Sequence, residues 1–112
     1  MQQPDDPARL QHMLDAALKA VQFLQGRNRG DLDSDEQLTL SLTRLLEILG
    51  EAAAKVSEQG RNPYPGIPWP QVVGMRNRLI HGYFEVDLDE IWRTVQEDLP
   101  PLIKQLQKRD GH

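Results

Sequence analysis

Residues 75–84 read MRNRLIHGYF, and they decide how the rest of the chain is read. Upstream, Pro70 suits the first turn of a helix. Trp69, Val72, Val73, Leu79 and Ile80 then recur at helical spacing, which predicts a helix from Pro70 to about His81, stopped by Gly82. Arg76 falls on that same apolar stripe. A guanidinium among apolar positions is costly unless it is paired or faces a second subunit. On an ideal helix five residues sweep about 500°, so Arg76 and His81 would point roughly 140° apart. One subunit would present them poorly, whereas a symmetric dimer would bring two of each into one cleft.

The flanks are helical too. Asp6-Pro7 reads as an N-cap carboxylate followed by proline at the first helical position. Leu10, Met13, Leu14, Ala17, Leu18, Val21 and Leu24 form one stripe, and Gly26 offers a stop. His12 lies off the stripe and reads as a surface residue. Ser34 with Gln37 has the pattern of a capping box. The helix it opens carries Leu38, Leu42, Leu45, Leu46, Leu49, Ala52, Ala53 and Val56 on one side. The short residues of LGEAAAK, 49–55, allow a neighbouring helix to come close, and Arg44, Glu47 and Glu51 read as ion pairs along a solvated edge, with a role near the active site as the alternative.

GRNPYPGIPWP, residues 60–70, is too rich in proline for regular helix and reads as a stiff connection anchored by Trp69. After the central stretch, Asp87 and Glu90 make another capping pair. Ile91, Trp92, Val95, Leu99, Leu102, Ile103 and Leu106 form the last stripe, and Pro100-Pro101 predicts a kink or break within it. No strand alternation stands out. The reading is all-α: one domain over residues 1–112, an up-and-down bundle of four or five helices.

Composition narrows the function. With 112 residues the chain has one core, and with 5% aromatic residues that core is aliphatic. No apolar run approaches the roughly 18 residues of a membrane span, and MQQPDDPAR does not begin like a signal peptide, so a cytoplasmic protein with no membrane partner is expected. There is no cysteine and there are three scattered histidines, so no metal site and no cofactor is expected. The net charge of −4 argues against gripping nucleic acid over the whole surface but leaves room for a local basic cleft beside Arg76 and Arg78. Nucleotide-binding and metalloprotease motifs are missing.

The remaining chemistry lies in Arg76 and His81. Cutting RNA without a metal requires activation of a ribose 2′-OH, protonation of the leaving 5′-oxygen and stabilisation of a charged phosphorane. A histidine near its ordinary pKa moves the protons. An arginine holds two phosphate oxygens at once. Spacing alone leaves open a structural reading, in which Arg76 forms a salt bridge, His81 ends a helix and Tyr83 packs.

LLEILGEAAAKV (Leu45–Val56), IPWPQVVGMRNRLIHGYFEVDLDEIW (Ile67–Trp92) and QEDLPPL (Gln96–Leu102) resemble, in succession, the HepT-like ribonuclease toxins of the HEPN superfamily. The doubled proline looks like a minor variation on that pattern. The resemblance covers most of the chain and implies an all-helical, usually dimeric fold with a metal-independent endoribonuclease site at the dimer cleft. It places the catalytic pair at Arg76 and His81. It gives Asn77 an orienting role beside the arginine, with Arg78 as a further contact for RNA. Tyr83 matches the tyrosine that a cognate MntA-like nucleotidyltransferase antitoxin modifies with AMP. HEPN domains also serve as non-catalytic partners of nucleotidyltransferases, which is the alternative function, and a plain helical dimer is a third.

Overall fold

The first helix, α1 (Asp6–Leu24), lies against α3 (Glu36–Ala54), and the two form the most extensive pairing in the fold. The structure, a computed structural model, describes residues 5–81 and 85–108, with Ile80 and His81 described by backbone alone. Between the two long helices runs a single turn, α2 (Asp31–Ser34). The α1–α3 pair is antiparallel. Asp6 at the start of α1 accepts hydrogen bonds from the backbone N–H (2.9 Å) and hydroxyl of Ser57, just past the end of α3. Arg27 beyond the end of α1 pairs with Asp35 at the start of α3, 3.3 Å away.

Asp5, not Asp6, is the N-cap of α1, its carboxylate accepting from the Ala8 N–H, and this releases Asp6 to hold Ser57. Those bonds from Ser57 hold the Asp6 carboxyl below its ordinary pKa. The buried face of α1 is Leu10, Met13, Leu14, Ala16, Ala17, Ala20 and Leu24. Leu18, expected on that stripe, is 41% exposed, and Ala16 and Ala20, outside the expected stripe, are buried instead. Gly26 stops the helix at φ +78°, a conformation favoured only for glycine. His12 is exposed as expected.

The expected capping box at Ser34 is displaced by one residue. Asp35 caps α3 by accepting from the Leu38 N–H at 3.1 Å, while Ser34 closes α2 and its hydroxyl donates to the Gly30 carbonyl. The two overlapping turns leave Asp35 as the residue with extended backbone, the conformation a cap needs. Every residue of the expected α3 stripe is buried except Leu45, which is half-buried.

The proline-rich connection contains one helical turn, α4 (Glu58–Arg61), then doubles back on buried side chains. Trp69 anchors it as expected. Its indole N–H donates to the Tyr64 carbonyl at 3.2 Å, and the Arg61 guanidinium stacks 5.0 Å over its ring. Both Tyr64 and Trp69 face the core, so neither is a base-stacking platform.

The single helix expected from Pro70 to His81 is instead two short ones, α5 (Trp69–Val73) and α6 (Met75–Leu79), broken at Gly74. The Gly74 N–H bonds back to the Pro70 carbonyl, and a side chain there would press on that same oxygen at 3.2 Å. Beyond Leu79 the chain is extended. Strand β1 (Ile80–His81) pairs antiparallel with β2 (Glu85–Val86), a two-rung ladder that the sequence reading did not anticipate. Two residues per strand are too few to show alternation, and the β-branched Ile80 and Val86 at its first rung suit extended backbone.

The last described residues form one composite rod. Asp87 caps α7 (Leu88–Arg93) by accepting from the Glu90 N–H at 3.0 Å, as expected. A π-helical segment, Thr94–Asp98, follows, then α8 (Leu99–Gln107). The doubled proline therefore does not break the helical run. Pro100 and Pro101 occupy the first turn of α8, and the missing donors are absorbed by the wider π turn before them, where Leu99 N–H bonds to Thr94 O.

The four rods alternate in direction. Val72 and Val73 lie beside Gly50 and Arg76 lies beside Glu47, so α5–α6 runs against α3. Arg29 near the start of α3 reaches Asp89 at 2.8 Å, while Gln105 lies against Gly66 beyond its end, so the composite rod runs with α3 again. This is the expected all-α, up-and-down arrangement. No helix among the described residues is long and apolar enough to cross a membrane.

Candidate active site

One short turn, α6, carries three of the candidate side chains. Met75 and Leu79, four residues apart, are both almost wholly buried and pin its inner face to the core. Arg76 and Asn77 therefore point outward, and Arg78 stands half-buried at the edge. This corrects the expectation that Arg76 is stranded on an apolar stripe. The break at Gly74 resets the helical phase, so Met75 takes the inward position and Arg76 is 54% exposed.

Arg76 is nevertheless held. Its Nε donates to Glu47 Oε2 at 2.9 Å, across from α6 to α3. Glu47 is the less exposed partner, at 21%, and it has left the charged edge where the sequence placed it. Arg44 and Glu51 remain on that edge as a loose exposed pair, 3.7 Å apart. Sequence reasoning missed the cross-helix role of Glu47 because three- and four-residue spacing offers every helical carboxylate an intrahelical partner. One signal was present: Gly50, three residues on, marks the face of α3 that a neighbour approaches.

Arg78 faces away from Arg76. Its Nη1 donates to the Gln71 carbonyl at 2.8 Å and its Nε lies 3.6 Å from Glu90 Oε1. Glu90 is shared: Arg93 grips it through Nε and Nη2 and also forks onto both oxygens of Asp98, at 3.0 and 2.9 Å. Those bonds hold the Glu90 carboxyl below its ordinary range and raise Arg93. Arg78, expected as a further contact for RNA, is thus already engaged with Gln71 on α5 and Glu90 on α7. On this side of α6 opens a cavity of about 550 Å³, lined among others by the apolar Ile67, Met75 and Leu102 and by Arg78 and Arg93. Arg76 is not part of it.

Asn77 is exposed beside Arg76, and its backbone N–H closes the turn onto the Gly74 carbonyl. The backbone of His81 pairs with Glu85 in the ladder. Its imidazole and Tyr83 lie outside the described residues. The 140° separation no longer applies, because the helix on which it was reckoned ends at Leu79. After Leu79 the backbone is extended, so helical rotation no longer relates His81 to Arg76. Among the described residues no group of His, Asp and Glu could hold a metal ion.

A family model described as "Ribonuclease HepT-like" matches residues 13–109. Among curated proteins the chain is 32% identical over 107 residues to "Putative RNase MJ1380" of Methanocaldococcus jannaschii, covering 96% of this chain and 98% of that one. It is 34% identical over 99 residues to "Putative RNase TTE0752" of Caldanaerobacter subterraneus, covering 88% of each. It is 38% identical over 78 residues to "Probable ribonuclease HepT" of Thermococcus cleftensis, covering 70% of this chain and 71% of that one. No solved structure matches the chain.

Proposed function

The chain belongs to the HepT-like ribonuclease family, and from that membership we propose that it is a metal-independent endoribonuclease, the toxin of a two-protein toxin–antitoxin system. The observation that carries the reading is Arg76: a guanidinium on the outer face of a one-turn helix, its Nε edge fixed by Glu47 and its side chain open to solvent. Held this way, it presents the remaining guanidinium edge to a phosphate. His81 moves the protons. The ribose 2′-oxygen attacks phosphorus and loses its proton, the 5′-oxygen leaves and gains one, and the products are a 2′,3′-cyclic phosphate and a 5′-hydroxyl. Asn77, next to Arg76, orients it. The protein acts as a homodimer in the cytoplasm, with this stretch and its symmetric copy forming the cleft.

Cleavage of single-stranded RNA by the purified chain in excess EDTA, with cyclic-phosphate ends on the fragments, is the expected result. A chain inert toward RNA that still forms a stable complex with a nucleotidyltransferase would overturn this reading in favour of a non-catalytic binding module.

Silencing is by AMPylation of Tyr83 by a cognate MntA-like nucleotidyltransferase. The tyrosine oxygen attacks the α-phosphorus of ATP, and pyrophosphate leaves. Each adenylate adds a phosphate charge and a base two residues from His81, which opposes an incoming RNA phosphate by repulsion and bulk. Tyr83→Phe is expected to cleave RNA as before and to accept no labelled adenylate from the antitoxin. Label retained on that variant places the modification elsewhere.

A further inference from the structure

Glu47 belongs to a different helix from the motif, sits 29 residues away from Arg76 in sequence and bonds its Nε at 2.9 Å. Three features make this more than a surface ion pair. The carboxylate is largely shielded and the guanidinium is not, so the fixed partner is the one on the long helix α3. The bond engages Nε, the edge that a guanidinium can give up while its two Nη groups still fork onto a phosphate. The distance between the helices is set one turn away, at Gly50, where a Cβ would lie 3.3 Å from the Val72 carbonyl oxygen and 3.4 Å from that of Val73. Glu47 and Gly50 are three residues apart on one face of α3, so the close approach at Gly50 brings Glu47 within reach of Arg76.

We infer that Glu47 is the positioning residue for Arg76, orienting its guanidinium for the phosphate through the Nε bond while touching neither substrate nor reacting atoms. This rests on the ribonuclease reading. A carboxylate so near the cleft also repels the incoming phosphate. It is retained because a half-exposed arginine on a five-residue helix has no other fixed partner among the described residues to choose its rotamer. Orientation outweighs repulsion here, since misplacing a catalytic group by about 1 Å costs roughly 100-fold in rate.

The test compares Glu47→Ala, Glu47→Gln and, as a control on the same helix, Glu51→Gln, measuring kcat and KM for RNA cleavage, the pH–rate profile and the melting temperature. Glu47→Ala is expected to lose roughly 10- to 100-fold in kcat. Glu47→Gln keeps an amide oxygen that accepts from Nε, so it should recover to within about tenfold of wild type, a neutral acceptor being about half as strong as a carboxylate. Both should keep the wild-type pH profile, and Glu51→Gln should be unchanged. Wild-type kcat in Glu47→Ala overturns the inference. So does a Glu47→Gln variant as slow as Glu47→Ala with one limb of the pH profile gone, which would make Glu47 a proton-transfer group instead. A wild-type chain inert toward RNA overturns the ribonuclease reading itself, and this inference with it. The Arg76 Nε–H resonance separates the two failures: its exchange protection in the wild type and loss in Glu47→Ala report the contact whether or not RNA is cut.

Discussion

Arg76→Ala is expected to lower the rate of RNA cleavage by roughly 100- to 1,000-fold, the loss that follows when one preorganised donor to a developing oxyanion is removed. The fold should survive the change. Arg76 sits on the outer face of α6, more than half exposed, and its one described partner is a carboxylate on α3. Exposed pairs of this kind contribute about 0–1 kcal/mol, so the melting temperature should move by no more than about 8 °C. Arg76→Lys should recover little of the rate. An ammonium is a point charge that cannot bond Glu47 with one edge and fork onto a phosphate with the other. Single-turnover cleavage of end-labelled RNA, read beside a thermal melt, checks both halves. His81→Ala belongs in the same experiment, with a loss of roughly 100- to 10,000-fold for a proton-transfer group. Unchanged cleavage in both variants would remove this stretch from the chemistry altogether.

Much of this arrangement could be read from the residues, for a reason visible in α3. Where a helix is long and buried on one side, as from Leu38 to Ala53, its stripe announces itself over several turns and local errors cancel. The same holds for the composite rod ending in Leu106. The central stretch defeats that method because its elements are a single turn or less. A stripe drawn through Trp69, Val72, Val73, Leu79 and Ile80 assumes one continuous helix, and the glycine between Val73 and Met75 breaks the phase on which the assignment of Arg76 depended. Glu47 could not be paired with Arg76 from sequence, since the contact exists only once two helices are docked. The caps of the two long helices erred by one residue for a related reason. Asp5 and Asp6, or Ser34 and Asp35, offer equivalent side chains, and the tertiary bond from Ser57 to Asp6 decides between the first two.

Gly50→Val is expected to destabilise the fold by about 1–3 kcal/mol, the range for overpacking a tight contact, and to lower the melting temperature by roughly 4–8 °C per kcal/mol. Two effects oppose each other at this site. Any side chain relieves the helix of glycine's unfavourable propensity, a gain of up to about 1 kcal/mol. Against it stands the backbone of α5, whose carbonyl oxygens at Val72 and Val73 lie 3.3 and 3.4 Å from where a Cβ would be. A single methyl needs a shift of a few tenths of an ångström, so Gly50→Ala should come out close to neutral. The two further methyls of valine have no such room, and the helices must part. Parting them acts on chemistry as well as stability, because Glu47 reaches Arg76 across the same seam. Gly50→Val should therefore lose cleavage activity at temperatures where it is still folded, whereas Gly50→Ala should keep it. Denaturant unfolding, with cleavage measured well below the transition, distinguishes this from a simple loss of stability: a folded Gly50→Val protein with wild-type kcat would show that the spacing of α3 and α5 does not govern how Arg76 is held.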